Sequence, residues 1–338
     1  MYPIQAPLRI CILESISTET VQYPTYIAPY LPEHYCEHHK IALESLESQL
    51  AELIAKRFDV FINLCDGAAG SGSAGIEVVR YLEQHGAAYT GADEHFYEPT
   101  RQQMKDACKL RGIRVPNYAF AGTETEPASA CKELNFPLIV KPASGYGSVG
   151  VLKSSKVYSL AALEKEVQRI LEKFPGALIE EFIAGQEFTV LIAENPDNGL
   201  EPIVYPPIEF RFPEGEEFKH YDLKWFDYQG MSTHSVANDA LVARLRHMAK
   251  ELFLELKGRS YARCDIRMDA KGDLYMLEIN PNCGIFYAPE DAGSADFILL
   301  NDPAGHRGFL DLIIASAVQR KDLAMPQSLG QVRPLSAN

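Results

Sequence analysis

The chain has 338 residues, enough for two or three domains with substantial cores. Its composition, 46% hydrophobic and 23% charged, is that of an ordinary soluble globular protein. A formal charge of −14 argues against a general nucleic-acid or membrane surface, but leaves room for a small basic pocket that holds phosphate.

No run of 18 apolar residues occurs, and the amino terminus lacks a basic region followed by an apolar core and a cleavage signal, so cytoplasm is the expected compartment. The seven cysteines (Cys11, Cys36, Cys65, Cys108, Cys131, Cys264 and Cys283) are odd in number and lack CxxC spacing. They read as reduced, individually buried thiols.

Residues 8–14, LRICILE, predict a buried strand, and the proline-containing connection that follows is long enough to be functional or to cover a cleft. Over 36–57, Leu43, Leu46, Leu50, Leu53 and Ile54 recur at helical spacing and predict a helix. His34, His38 and His39 precede or enter that helix without a nearby acidic ligand pattern. They are expected to be solvated or locally bonded rather than metal-bound. A second strand at 60–64 feeds DGAAGSGSAG and a helix over 76–85. That loop is either a tight connection or a substrate contact, with Ser73 near the helix start; it is neither a dinucleotide fingerprint nor a Walker A loop.

A helix is expected over 101–111, carrying Lys105 and Lys109, and another over 123–134. FPLIVKPASGYGSVGV then reads as a strand ending at Lys141 and a loop through Ser144, Gly145, Tyr146, Gly147, Ser148 and Val149. A lysine at a strand end supplies charge to phosphate, and loop amides and hydroxyls wrap the remaining oxygens. A helix over 160–174 leads to the strand ALIEE (177–181) and a second strand at 187–193, where Glu180 and Glu187 are candidates for adenine or ribose. Lys224, beside Trp225 in a proline- and glycine-rich region, is placed to close over a terminal phosphate and exclude water.

A helix over 239–257 enters the strongest signal, YARCDIRMDAKGDLYMLEINPNCG. With Lys271-Gly272 at the tip of a turn, Asp265 faces Glu278 and Arg263 faces Asn280, all on one sheet face. Cys264, Ile266, Met268, Leu277 and Ile279 fall in the opposite, buried phase. Facing carboxylates repel unless a cation sits between them, and acidic and amide oxygens on a rigid sheet suit magnesium shared with substrate phosphates. Residues 285–296 are candidates for an acceptor site, and helices are expected at 294–300 and 309–320.

The segments NLCDGAAGSGSAG, YTG, FPLIVKPASGYGSVGV, ALIEEFIAGQEFTV, YDLKW and ARCDIRMDAKGDLYMLEINPNCG resemble, in this order, the ATP-grasp superfamily, most closely its D-alanine–D-alanine ligase branch. The resemblance implies an α/β ATP-grasp fold: an amino-terminal domain (1–95) and two lobes enclosing ATP (96–188 and 189–322); the residues from 323 to 338, with Pro326 and Gly330, read on their own as a flexible tail. It also implies that Lys105, Lys141 and Lys224 touch ATP phosphates beneath the 144–149 loop. Glu180, Glu181 and Ile183 would hold adenine, and Glu187 ribose. Asp265, Glu278 and Asn280 would bind two magnesium ions, replaceable by manganese, while Arg263 would assist an acyl-phosphate step. The implied partners are a small carboxylate and an amine, amino acids among them, with a homodimer as a further candidate assembly and neither nucleic acid nor membrane.

Substrate-side motifs depart from that branch: LESISTETV replaces a glycine-rich strand end, Asp66-Gly67 a histidine–glycine pair, and PNCGIFYAPEDAG a small-residue proline–glycine loop. The expected activity is thus an ATP-dependent carboxylate–amine ligase, with a small-acid kinase or a non-catalytic nucleotide-binding regulator as alternatives.

Overall fold

The computed structural model describes residues 7–16, 24–68, 70–124, 126–145, 147–225, 230–281 and 283–324. Part of the connection after the first strand, Tyr146, and all but the first two residues of the expected tail lie outside the described residues.

Strands β1 (Arg9–Ser15), β2 (Tyr35–Ile41) and β3 (Val60–Leu64) form a parallel sheet in the order β2-β1-β3. β1 and β3 are nearly continuous apolar runs because both of their faces are covered. Cys11, Leu13 and Phe61 pack with Leu46 and Leu50 of helix α1 (Leu46–Ala55) and Val78 and Val79 of α2 (Ile76–Gln84). Ile10, Ile12 and Ile62 meet Phe309, Leu310 and Ile313 of the carboxy-terminal helix on the other face. The helix expected over 36–57 forms only in its second half. Residues 35–41 pair with β1 as an edge strand that is exposed or half-buried along most of its length, so the helix marked by the leucine spacing begins only at Leu46.

The middle of the chain contributes α3 (Arg101–Leu110), β4 (Tyr118–Ala121), α4 (Pro127–Ala130), β5 (Leu138–Pro142), β6 (Lys156–Val157), α5 (Leu160–Leu171) and β7 (Ala177–Glu181). Its strands pair antiparallel in the order β4-β7-β5-β6. Leu163, Val167 and Ile170 of α5 close a separate core over Leu138, Val140 and Ile179. The helix expected over 123–134 shrinks to the single turn of α4. Of its apolar side chains only Cys131 is fully buried, too little to sustain a longer element.

The third sheet holds β8 (Gln186–Ala193), β9 (Ile203–Val204), β10 (Ile208–Arg211), β11 (Ser232–Ser235), β12 (Tyr261–Met268) and β13 (Leu274–Pro281). Their order is β11-β10-β8-β12-β13, with β9 also on β8. The one-turn helix α6 (Tyr221–Trp225) precedes β11; α7 (Asp239–Glu255) covers one face, and α8 (Ser294–Leu300) and α9 (Gly305–Ala324) cover the other. The passage between the second and third sheets falls at 182–185, slightly before the expected boundary at 188.

The expected hairpin register is present: Arg263 faces Asn280 and Asp265 faces Glu278. A bulge between Asp265 and Ile266 shifts the pairing beyond it, so Ile266 faces Met276. The extra residue, Leu277, lies on β13 and reverses the facing of the β13 side chains that precede it, while β12 keeps its alternation. Met276 and Leu274 consequently enter the core, and Leu277, expected there, is only half-buried.

Gly185 joins the two sheets at a positive φ of 137°, and a Cβ there would lie 2.1 Å from the Met268 carbonyl oxygen. Gly185→Ala is expected to lower stability by about 2–4 kcal/mol through strain and forced backbone displacement. Gly199→Ala, at a position with open space around it, should stay within about 0.5 kcal/mol of wild type. Denaturant unfolding of both variants checks this.

Candidate functional site

The cleft between the second and third sheets is lined by opposite charges brought from distant segments. Glu180, on β7, is buried and takes ion pairs from Lys105 of α3 and, at 2.5 Å, from Lys141 of β5. Burial alone would raise the Glu180 carboxyl, but the two ammonium groups overcome it and hold the carboxyl at about 2. Burial also lowers the Lys141 ammonium, against the pull of Glu180. Lys105 additionally sits 5.5 Å from the centre of the Tyr118 ring. The adjacent Glu181 points to the other side of β7, where it accepts from Asn117 Nδ2 at 2.9 Å and Asn135 N at 2.8 Å; its side chain does not join this cluster.

Across the cleft, Arg263 and Asp265 share a face of β12, and Arg263 Nη2 lies 3.0 Å from Asp265 Oδ2. Thr189 of β8, in register with Asp265, donates its hydroxyl to Oδ1. Burial opposes ionisation of Asp265, but Arg263 and Lys219 hold its carboxyl below the ordinary range. Asn280 donates to Glu278 at 3.1 Å. Burial would raise Glu278 as well; Arg101 and Lys141 instead bring it to about 2.

Arg101 ties the two sides together. Its Nη1 donates to Glu278 Oε2 at 3.0 Å and its Nη2 to the Gly145 carbonyl at 3.2 Å, so one side chain spans the acidic pair and the glycine-rich loop. Its Nε is buried with no hydrogen-bond partner among the described residues. In that loop the Trp225 indole donates to the Gly147 carbonyl at 2.9 Å, Ser148 donates to the Lys219 carbonyl at 2.9 Å, and Ser144 and Val149 are exposed. Lys224 lies on α6 beside Trp225, and burial, aided by Arg263, lowers its ammonium to about 8.

At the far end Glu187 pairs with Lys219 at 3.0 Å and Arg267 at 3.1 Å, and Arg267 also donates to the Ile183 carbonyl at 2.7 Å. Val151, Phe182 and Phe218 form a small apolar cluster there with Ile139. Arg101, Arg267, Lys219 and Thr189 were not singled out from sequence. Two signals bear on them: Arg101 lies four residues before Lys105 on α3, and Arg267 continues the alternation of Arg263 and Asp265.

The histidines engage local partners: His34 Nδ1 accepts from Leu8 N at 3.1 Å, His38 lies 2.9 Å from Glu14, and His39 lies 3.0 Å from Glu37. No cluster of three or more His, Cys, Asp or Glu side chains suited to a metal occurs among the described residues. Two carboxylates and an amide form an oxygen donor set that fits magnesium when phosphate oxygens complete it. The seven cysteines are free, and six of them are buried. No helix among the described residues is long and apolar enough to cross a membrane.

A model of the D-ala D-ala ligase C-terminus family matches residues 108–287. A D-alanine–D-alanine ligase of Laribacter hongkongensis is 31% identical over 248 residues, covering 72% of this chain and 75% of that protein. The D-alanine–D-alanine ligase of Bacillus anthracis, solved in complex with ATP, matches 94% of this chain and 99% of its own with a TM-score of 0.71 at 21% identity. The VanG D-Ala:D-Ser ligase of Enterococcus faecalis matches 92% of this chain and all of its own (100%) at a TM-score of 0.68 and 16% identity. At such identities the solved structures establish a shared fold.

Replacing Glu180 with Gln takes from Lys105 and Lys141 the carboxylate that pairs directly with both, and is expected to destabilise the fold by about 3–5 kcal/mol at neutral pH. The sign of the pH dependence follows from a depressed carboxyl. Its stabilisation is complete above the ordinary value of 4.5 and drains away as pH falls through about 2. The stability gap between wild type and Glu180→Gln, measured by urea unfolding at successive pH values, should therefore narrow from pH 5 toward about pH 2.

Proposed function

The chain belongs to the D-alanine–D-alanine ligase family of ATP-grasp ligases, and on that premise we propose that it is an ATP-dependent carboxylate–amine ligase working through an acyl phosphate, with amino acids as the favoured substrate class. The observation that carries this reading is the span of Arg101 from Glu278 to Gly145. A lysine-flanked glycine-rich loop and a pair of facing carboxylates lie within one side chain of each other. Phosphoryl transfer depends on such positioning and on neutralising charge as it moves.

In this reading Lys141 and Arg101 grip the phosphates under the 144–149 loop, and Lys224 approaches the terminal one. Lys224 has an ammonium near 8 and carries its charge at neutral pH, and an anion beside it would strengthen its hold on the proton. Lys105 acts mainly by fixing Glu180. The apolar cluster of Val151, Phe182 and Phe218, with the polar groups of Glu180 and Ile183 beside it, suits a purine, and Glu187 suits ribose hydroxyls. Asp265, Glu278 and Asn280 would hold magnesium, which supplies neutralisation of the phosphate charge.

The donor carboxylate attacks the γ-phosphorus of ATP and releases ADP. Arg263, whose fork now rests on Asp265, has the geometry to steady the transferring group and then the oxyanion formed when an amine attacks. The amine displaces phosphate and an amide results. The Laribacter hongkongensis and Enterococcus faecalis proteins are named for joining D-alanine to D-alanine and to D-serine, which supports an amino-acid pair here. The departures at Asp66-Gly67 and after Asn280 favour a pair different from two D-alanines.

The test is magnesium-dependent ADP formation across a matrix of D- and L-amino acids and small carboxylates, with product masses read in parallel. The expected outcome is turnover that requires one acid and one amine and yields the mass of their condensation product. ADP formation with a stable phosphorylated acid and no condensation identifies a kinase instead, and nucleotide binding without turnover identifies a regulator.

A further inference from the structure

Asp66 occupies a part of the cleft that phosphate chemistry does not use. In the amino-terminal order β2-β1-β3 the connections from β1 diverge, and open parallel sheets bind ligands beyond the carboxyl ends of their strands at such a switch point. Glu14 is the penultimate residue of β1, and Asp66 lies two residues past β3. Glu14 is already engaged, accepting from the Thr25 hydroxyl and lying 2.9 Å from His38 Nε2. Asp66 takes a hydrogen bond from the Ser15 side chain and stays open to solvent.

The backbone around Asp66 is tightly fixed. The Tyr97 hydroxyl donates to the carbonyls of Cys65 at 2.9 Å and Gly67 at 3.2 Å, and Gly67 N donates to the Ala74 carbonyl at 3.1 Å. Gly67 and Gly75 approach so closely that a Cβ on Gly67 would lie 2.2 Å from the Ser73 carbonyl oxygen. The loop after β13 is pinned opposite: Tyr287 bridges to Thr25, and Phe286 N donates to Asp296 Oδ1 at 2.7 Å. The titratable groups facing Asp66 are Lys224 from α6, Tyr261 from β12, Tyr287 from this loop and the neighbouring Cys65. Asp66 and Lys224 attract each other through space, and Lys224 in turn feels Arg263, which puts the carboxylate within electrostatic reach of the reacting end of the cleft.

Resting on the ligase reading above, we propose that Asp66 is the general base of amide formation, taking a proton from the ammonium group of the acceptor amine. The freed lone pair attacks the acyl carbon, the carbon–oxygen bond to phosphate breaks, and the excess proton left on nitrogen departs with inorganic phosphate. The carboxylate is open to an incoming ammonium group, and a carboxylate within hydrogen-bond reach of that group can take its proton.

Hydroxylamine separates this step from the one before it. It is unprotonated at neutral pH and traps acyl phosphates as hydroxamates without a base. With each acid that supports ADP formation, Asp66→Asn should lower kcat for the amide by about 100-fold or more. Hydroxamate formation should stay within about threefold of wild type, which also shows that the variant folds. Raising the pH, which deprotonates the amine, should partly restore the amide rate, and Asp66→Glu should retain part of it. An unchanged kcat, a rise only in KM for the amine with an unaltered pH profile, or a parallel fall of amide and hydroxamate would each overturn the role of Asp66. Wild-type protein that makes neither ADP nor hydroxamate with any acid would instead remove the ligase reading, and this inference with it.

Discussion

Matched charge among buried side chains is the constraint on which the rest of this molecule depends. Glu180, Asp265 and Glu187 are nearly or fully removed from solvent, and an isolated carboxylate in such surroundings would take up a proton. Each is paired with cations: Lys105 and Lys141 with Glu180, Arg263 with Asp265, Lys219 and Arg267 with Glu187. Pairs of this kind contribute modest net stability but are costly to break singly, so they fix the geometry of the sheets that carry them. Under the proposed function, a ligand that brings both negative phosphate and a divalent cation would exchange partners with these pairs.

The strands deliver this arrangement through register. β8 lies between β10 and β12, and its Thr189 and Glu187 fall opposite Asp265 and Arg267. β13 places Glu278 and Asn280 opposite Asp265 and Arg263, and the bulge just beyond Asp265 ends that shared facing. Beneath, Val190, Cys264 and Ile279 pack on α7, so the chemistry-bearing face rests on a rigid apolar layer. The glycine-rich loop is tied down on three sides, by Arg101, by Trp225 and by the Lys219 carbonyl. Lys224 is the next residue to Trp225, so movement of this loop and of α6 would be shared.

Much of this was legible in the sequence, and the parts that were not share a physical reason. The hairpin register could be read because period-two alternation on both strands converges on a glycine turn, and two strands joined so closely have one sensible pairing. The bulge leaves no trace in the alternation, which points Leu277 rather than Met276 into the core. Residues 35–41 lack a clean apolar period because an edge strand is covered on only part of its surface, and the strong leucine spacing of α1 absorbed them. In the site, Lys141, Glu180, Asp265 and Glu278 stood out from motif context. Arg101, Lys219 and Arg267 did not, because a buried cation and a solvated one look alike until strand register supplies the carboxylate; Lys105, named as a phosphate contact, lies against Glu180.

The most direct measurement of this account is calorimetric titration of a non-hydrolysable ATP analogue into wild type and Glu278→Gln, each with and without magnesium. A cleft of matched charges that accepts the nucleotide only by exchanging partners predicts tight, magnesium-dependent binding by wild type. The variant should lose most of the magnesium dependence while still binding the nucleotide. Equal affinities in all four titrations would contradict the assignment of the acidic face to metal and phosphate.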